Sequence, residues 1–123
     1  MLIYLAGGFA TDWQDQVKDA LKHNESIEFF DPREHKLHDP RDYTEQDLKA
    51  IRECDMVFAY LESSSPGGMN LAFEIGYAHA LGKPVVFVNE KRPRYAEMLH
   101  VVCTSPTSFD AALVDLPRMK ELR

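Results

Sequence analysis

Cysteine and positive charge are both scarce in this sequence, and each shortage argues against a class of protein. The 123 residues include two cysteines, Cys54 and Cys103, and neither belongs to a CxxC pair. A zinc site or a dithiol redox motif is therefore not indicated, and two reduced thiols suit a cytosolic protein. The formal net charge is −6, which argues against a broad surface for polymeric nucleic acid. A small ligand in a local site is compatible with that charge.

Long apolar runs and two common nucleotide-binding motifs are also missing. No stretch approaches the roughly 18 apolar residues that a membrane span needs, so no membrane partner is expected. The start of the chain, MLIYLAGGFA, lacks the basic segment of a signal peptide and predicts a buried strand instead. There is no GxGxxG and no GK[ST], so neither a dinucleotide fingerprint nor a P-loop is present.

The sequence does contain a regular alternation of apolar strands and amphipathic helices, which we interpret as one domain over residues 1–123. Thr11, Thr44 and Asn70 are predicted to cap the first three helices. The alternation predicts an α/β fold: a three-layer, doubly wound, five-stranded parallel sheet in the flavodoxin-like order 2-1-3-4-5. The predicted strands are 2–6, 26–30, 56–61, 85–89 and 100–104, and the predicted helices are 11–23, 44–55, 71–81, 93–99 and 108–116.

A ligand site is expected at the carboxyl ends of these strands, where open parallel sheets bind their ligands. Gly7 and Gly8 either let a ligand approach the backbone closely or simply form a tight turn. The serine run 63–65 either donates hydrogen bonds to a phosphate or forms a flexible loop. The residues predicted at this edge are Gly7, Gly8, Asp31, Glu62, Ser63 and Asn89, together with the start of the helix that carries Asn70 and Glu74.

Glu74 is an acid within the apolar segment NLAFEIGYAHAL, residues 70–81. Burying a carboxylate is costly unless another interaction compensates for it. One explanation is the helix N-terminus, where the helix dipole favours a negative charge. The other is a nucleophile or general base at the ligand-binding edge of the sheet. His79 lies about 140° further round the predicted helix and so points elsewhere.

Other polar residues allow a structural explanation beside a functional one. Asp47 stands three residues after the predicted cap and suits a capping box. Tyr4 suits a core aromatic with a satisfied hydroxyl. The loop spacing of His35, His38 and Asp39 would suit a metal, but no firm third ligand accompanies them. We therefore expect these three side chains to be exposed to solvent, and we predict no metal site.

Three segments, in order along the chain, resemble the nucleoside 2-deoxyribosyltransferases and the related 2'-deoxynucleotide N-glycosidases. They are IYLAGGF, DLKAIRECDMVFAYL and FEIGYAHALGKPVVFV, and the resemblance covers residues 1–90. In that family the glutamate of an E-[LI]-G-x-A segment is the nucleophile, which implies this role for Glu74. The tyrosine of Y-[LI]-A-G orients that carboxylate, which implies Tyr4. An aspartate eight residues before Asp55 lies in the sugar and base site, which implies Asp47.

The resemblance also implies the ligands: a small deoxynucleoside or deoxynucleotide, and a nucleobase. Gly68 stands where the transferases have a base-contacting aspartate and the hydrolases often have serine, six residues before Glu74. Residues 63–65 or Asn70 are candidates to take over that contact. The residues predicted to bind substrate are Gly7, Gly8, Phe9, Ser63, Ser65, Gly68 and Asn70.

The implied chemistry is a retaining displacement through a deoxyribosyl ester of Glu74, in which Asp47 supplies a proton or a hydrogen bond to the leaving base. Attack on the ester by a second base gives transfer, and attack by water gives hydrolysis. A third alternative is a nucleotide-binding module without turnover, but the joint presence of Tyr4, Asp47 and Glu74 argues against it. The scheme requires no metal or redox cofactor. The family also implies a homo-oligomer, a dimer or larger. The helix 71–81, apolar all round, is either the pairing surface or a helix packed under the C-terminal helix.

Overall fold

A computed structural model describes the backbone of residues 1–119 and the side chains of residues 1–116. All strand pairs are parallel and their order is β2-β1-β3-β4, which confirms the α/β class and the predicted order of the first four strands. The strands are β1 (Leu2–Gly7), β2 (Glu28–Phe30), β3 (Met56–Leu61) and β4 (Val85–Asn89); the helices are α1 (Trp13–Ala20), α2 (Pro40–Glu53), α3 (Met69–Ala80) and α4 (Phe109–Met119), with a 3₁₀ helix at Arg94–Val101.

Helices cover both faces of the sheet, so the three-layer arrangement is as predicted. Side chains alternate between the faces along each strand. In β1, Ile3 and Leu5 pack with α1 and α4, whereas Tyr4 and Ala6 pack with α2 and α3. Tyr4 is fully buried on the second face. The strands are therefore apolar on both sides, and Tyr4 is directed towards the helices that follow β2 and β3.

The predicted fifth strand is wrong. Within the described chain, residues 100–104 contribute a single bridge to the sheet, in which Thr104 pairs with Val86. The next N–H that a parallel ladder requires belongs to position 106, which is Pro106 and has no N–H to donate. On the other side the 3₁₀ helix continues through Val101, whose side chain is 84% exposed. The β-branched run predicts a buried strand, but Val101 faces solvent, whereas Val102 and Cys103 are only partly buried.

Helix α2 begins four residues earlier than predicted, so the cap assigned to Thr44 is wrong. Asp39 is the N-cap, and its carboxylate accepts a hydrogen bond from the N–H of Arg41 at 2.9 Å. Pro40 occupies the first turn, where a missing N–H costs nothing. The Asp-Pro pair is therefore the start signal of this helix, and residues 40–43 are helical rather than part of a loop.

The other two predicted caps are also wrong, because neither residue occupies the N-cap position of its helix. The hydroxyl of Thr11 donates to Glu62 at 2.9 Å, and α1 begins two residues later. Asn70 lies inside the first turn of α3, and Gly68 takes the N-cap position without a side-chain hydrogen bond. A contact between the loops that follow β1 and β3 takes the place of the predicted cap at α1, and local spacing does not reveal such a contact.

Both cysteines are free thiols, Cys54 buried and Cys103 partly buried. Across residues 1–119, no helix is both long enough and apolar enough to cross a membrane.

Gly7 closes β1 at a position where a side chain does not fit. Its φ is +153°, and an added Cβ would lie 2.5 Å from the carbonyl oxygen of Tyr60 and 2.8 Å from the Trp13 ring. We expect Gly7→Ala to lower the free energy of unfolding by about 2–4 kcal/mol through strain and overpacking. Urea unfolding measures this loss. Gly67→Ala, where nothing lies within 4 Å, is the matched control and is expected to change stability by less than about 0.5 kcal/mol. Equal effects of the two substitutions would contradict the strain at Gly7.

Candidate active site

Three elements bring Tyr4, Asp47 and Glu74 together at the carboxyl end of the sheet. Tyr4 comes from β1, Asp47 from α2 and Glu74 from the second turn of α3. The hydroxyl of Tyr4 donates a hydrogen bond to Oε2 of Glu74 across 70 residues of sequence. The Tyr4 ring stacks on Phe30 at a centroid distance of 5.5 Å. A rigid aromatic in the core therefore holds the carboxylate of Glu74 in one orientation.

Glu74 does not cap α3. In the described structure no backbone N–H donates to its carboxylate, and the hydroxyl of Tyr4 is its hydrogen-bond partner. Burial raises the pKa of Glu74 to about 7, the bond from Tyr4 lowers it in part, and the charge of Asp47 raises it further. Burial and the charge of Glu74 likewise raise the pKa of Tyr4, so the tyrosine remains the donor. Near neutral pH, the Glu74 carboxyl is therefore present in both charge states.

Two cavities meet at Glu74, and four of the residues around them line both. One cavity lies against the glycines of the loops after β1 and β3; we call it the glycine-side cavity, and its volume is about 600 Å³. The other lies against α2; we call it the α2-side cavity, and its volume is about 430 Å³. Both volumes lie in the range of small-molecule sites. The shared residues are Gly7, Phe9, Asn70 and Glu74. A ligand that occupies both cavities would therefore lie across the carboxylate.

The glycine-side cavity lies between the loop after β1, the loop after β3 and the start of α3. Six of the seven residues predicted to bind substrate line one or both cavities; they are Gly7, Gly8, Phe9, Ser65, Gly68 and Asn70. Ser63 is exposed and lines neither cavity. Lys91 fixes the β3–α3 loop, because its ammonium donates to the carbonyls of Ser65 at 2.6 Å and Gly67 at 3.2 Å.

The start of α3 offers free donors to this cavity. The first hydrogen bond of the helix runs from the N–H of Ala72 to the carbonyl of Gly68, so the N–H groups of residues 69–71 precede it. Such groups have no intrahelical partner and favour anions. The first turn of α3 contains no acidic side chain. An anionic group of a ligand would therefore meet a favourable helix terminus here.

The α2-side cavity is lined by Asp47 and His35, which contact each other. Nε2 of His35 lies 3.0 Å from Oδ1 of Asp47, and the His35 side chain is 19% exposed. The prediction of solvent exposure was therefore wrong for His35, although His38 and Asp39 are exposed as expected. Burial raises the pKa of Asp47, and the bond from His35 opposes that rise in part. The other residues that line this cavity were not predicted to bind substrate; they are Pro32, Leu37, Tyr43, Thr44, Leu48 and Phe73.

The remaining residues predicted at this edge tie loops together instead of lining these two cavities. Asp31 is buried in an ion pair with Lys18 at 2.9 Å and with Arg33. Glu62 is buried beside Thr11, and Asn89 contacts His100. Among residues 1–119 no group of three or more His, Cys, Asp and Glu side chains is placed to hold a metal ion.

A family model described as "Nucleoside 2-deoxyribosyltransferase like" matches residues 1–92. No curated protein matches the chain by sequence.

Among solved structures, a 2-deoxyribosyltransferase from Bacillus psychrosaccharolyticus is 21% identical, with a TM-score of 0.71 over 89% of this chain and 88% of that one. A CMP N-glycosidase from Clostridium botulinum is also 21% identical, with a TM-score of 0.68 over 97% and 99%. A 2-deoxyribosyltransferase from Leishmania mexicana is 27% identical, with a TM-score of 0.60 over 72% of this chain and 63% of that one.

The span matched by the family model runs from β1 through β4 and includes every residue that lines the two cavities around Glu74. The chain therefore belongs to the nucleoside 2-deoxyribosyltransferase-like family.

Proposed function

We propose that this protein cleaves the N-glycosidic bond of 2'-deoxynucleosides through a covalent ester of Glu74 and transfers the sugar to another nucleobase. The observation that carries the proposal is the Tyr4–Glu74 hydrogen bond where the two cavities meet. Because Tyr4 engages Oε2, the other oxygen, Oε1, is left to attack C1' of the sugar. The geometry thus supplies an oriented carboxylate with room for a substrate on either side.

In the first step, a bond forms between Oε1 and C1' while the bond from C1' to the base nitrogen breaks. The electron pair of the broken bond goes to the base, and Asp47 supplies a proton or hydrogen bond to it. The sugar passes through an oxocarbenium-like state, which forms more readily without an electron-withdrawing 2'-hydroxyl. In the second step, a nitrogen of the acceptor base attacks C1' from the face opposite Glu74, its proton passes to Asp47, and the bond between C1' and Oε1 breaks to release the carboxylate. Configuration at C1' is retained.

The raised pKa of Glu74 suits both steps. A carboxylate with a pKa of about 7 is a stronger nucleophile than an ordinary glutamate, and it is still a competent leaving group in the second step. Because burial is the main cause of this pKa, the apolar surroundings that raise it also limit the access of water to the ester.

A second candidate, hydrolysis of deoxynucleoside 5'-monophosphates, is favoured by the donors at the start of α3. The free N–H groups of residues 69–71 and the buried Ser65 lie by the glycine-side cavity and suit a 5'-phosphate. An acceptor base would also make fewer contacts with this protein, because Gly68 stands where the transferases have a base-contacting aspartate. The similar Clostridium botulinum protein is a CMP N-glycosidase.

The test incubates the protein with each deoxynucleoside and each 5'-monophosphate, with and without a free acceptor base. We expect exchange of bases on nucleosides that depends on the acceptor, and a sugar ester on Glu74 in the mass spectrum of quenched protein. Release of base from monophosphates without acceptor would instead support the hydrolase. Binding of these compounds without turnover would leave a non-catalytic module and contradict both enzymatic proposals.

We also propose that the chain self-associates through the exposed side of α3. Met69 is 85% exposed and Phe73 54% exposed, and both lie beside the cavities. A second copy placed there would cover this apolar surface and narrow the cavity mouth. Light scattering of the purified protein distinguishes a dimer from a monomer.

A further inference from the structure

His35 contacts Asp47 in a geometry that determines which ring nitrogen carries the proton. The backbone N–H of Leu37 donates to Nδ1 of His35 at 3.2 Å, so Nδ1 is an acceptor and is unprotonated. The proton of the ring is therefore on Nε2, which lies 3.0 Å from Oδ1 of Asp47. His35 consequently donates to Asp47 rather than accepting from it.

This donation makes the two oxygens of Asp47 unequal. If Oδ1 carried a proton, that hydrogen would point at the N–H hydrogen of His35. A protonated Asp47 therefore carries its proton on Oδ2. In the described structure Oδ2 has no hydrogen-bond partner, and it is not fully buried. Asp47 lines the α2-side cavity. Whenever Asp47 is protonated, its proton is thus on the oxygen that a ligand in this cavity reaches.

We propose that His35 is a positioning residue for the reaction put forward above, holding Oδ1 of Asp47 so that Oδ2 presents the proton to the leaving base. This inference rests on the proposed function and adds a residue to it. The ring is itself held in place, since it lies 6.2 Å from Phe30, the residue on which Tyr4 stacks. One packed layer therefore orients both carboxyls of the site.

Titratable groups from three elements lie near Asp47: His35 from the loop after β2, Tyr4 from β1 and Glu74 from α3. Besides burial, the charge of Asp47 raises the pKa of both Tyr4 and Glu74, whereas His35 acts on the pKa of Asp47 itself. Burial raises the pKa of Asp47, and the His35 bond is the contact that opposes this rise. Loss of the bond would therefore raise the pKa of Asp47 further and release its carboxyl to other rotamers.

The test compares two amide substitutions at one position. The amide nitrogen of His35→Gln reaches roughly as far as Nε2 and keeps the donor, whereas that of His35→Asn matches Nδ1 and falls short of Asp47. We expect His35→Gln to keep kcat within about threefold of wild type and His35→Asn to lower kcat by about 10- to 100-fold with little change in KM. In the Asp47→Asn background, His35→Asn is expected to add no further loss, because its effect runs through Asp47.

Two spectroscopic measurements test the inference even if the proposed function fails. The ¹⁵N shifts of His35 are expected to report an unprotonated Nδ1, and ¹³C titration of the Asp47 carboxyl is expected to give a higher pKa in His35→Asn than in His35→Gln. If these hold while no nucleoside is turned over, the proposed function fails and the His35–Asp47 contact stands. The role of His35 would be overturned by a protonated Nδ1 or by an Asp47 pKa that is the same in His35→Asn and His35→Gln. Equal losses of kcat in the two amide variants, or losses that add to that of Asp47→Asn, would overturn it as well.

Discussion

Glu74→Gln is expected to abolish turnover while leaving the folded chain at least as stable as the wild type. The amide keeps the shape of the side chain and can accept the hydrogen bond from Tyr4, but it cannot form a sugar ester. Removal of an essential nucleophile of this kind lowers kcat by at least about a thousand-fold. Base exchange followed by chromatography measures the loss, and the covalent adduct should disappear from the mass spectrum in parallel.

The stability of the same variant separates a catalytic acid from a structural one. The pKa of Glu74 is raised from 4.5 to about 7 in the folded state, so folding favours the protonated carboxyl. The stability that this group contributes is present below pH 4.5 and is lost as pH rises through 7. Glutamine stays neutral, so the Tm of the variant should match wild type near pH 4, below both pKa values, and exceed it at pH 8.

Glu28→Gln is the control for this comparison, since Glu28 is exposed and its Tm difference from wild type should show no such trend. A Glu74→Gln protein less stable than wild type at every pH would mean that the carboxylate holds the fold together. The proposal that Glu74 is placed for chemistry would then lose its main support.

Local pattern and the family resemblance predict different parts of the candidate site. Glu74 is singled out because a charge stands out in an apolar helix at the edge where parallel sheets bind ligands. Tyr4 suits a core aromatic by pattern alone, and its place beside Glu74 is implied by the resemblance. The sheet order of the first four strands follows from the alternation of strands and helices.

Three of the errors concern contacts between segments distant in sequence. Thr11 was assigned to a local cap, but its partner Glu62 lies 51 residues away. His35 was expected to be exposed to solvent in a polar loop, and only the packing of α2 reveals its contact with Asp47. A one-residue bridge at Thr104 was extended into a strand. Loop residues lack a period, so their neighbours follow from tertiary packing and not from spacing.

Asp47→Asn is expected to show an effect that depends on the leaving group. Asp47 is proposed to protonate the departing base, and general acids of this type contribute about 100- to 10,000-fold in rate. We expect kcat for natural deoxynucleosides to fall by about 100- to 1,000-fold, because their bases leave poorly without a proton. A deoxyriboside with an activated aryl leaving group needs no proton and should lose less than about tenfold.

This selectivity distinguishes acid catalysis from a general loss of structure, and it also distinguishes the two carboxyls. Glu74→Gln should lose activity on both kinds of substrate, since each requires the ester, whereas Asp47→Asn should spare the activated one. Asp42→Asn, an exposed aspartate on the same helix, is the matched control and should leave both rates unchanged. Equal losses on both substrates in Asp47→Asn would show that Asp47 binds the sugar rather than protonating the base. Burial raises the pKa of this carboxyl, which favours its protonated form, and His35 leaves Oδ2 as the oxygen without a hydrogen-bond partner in the described structure.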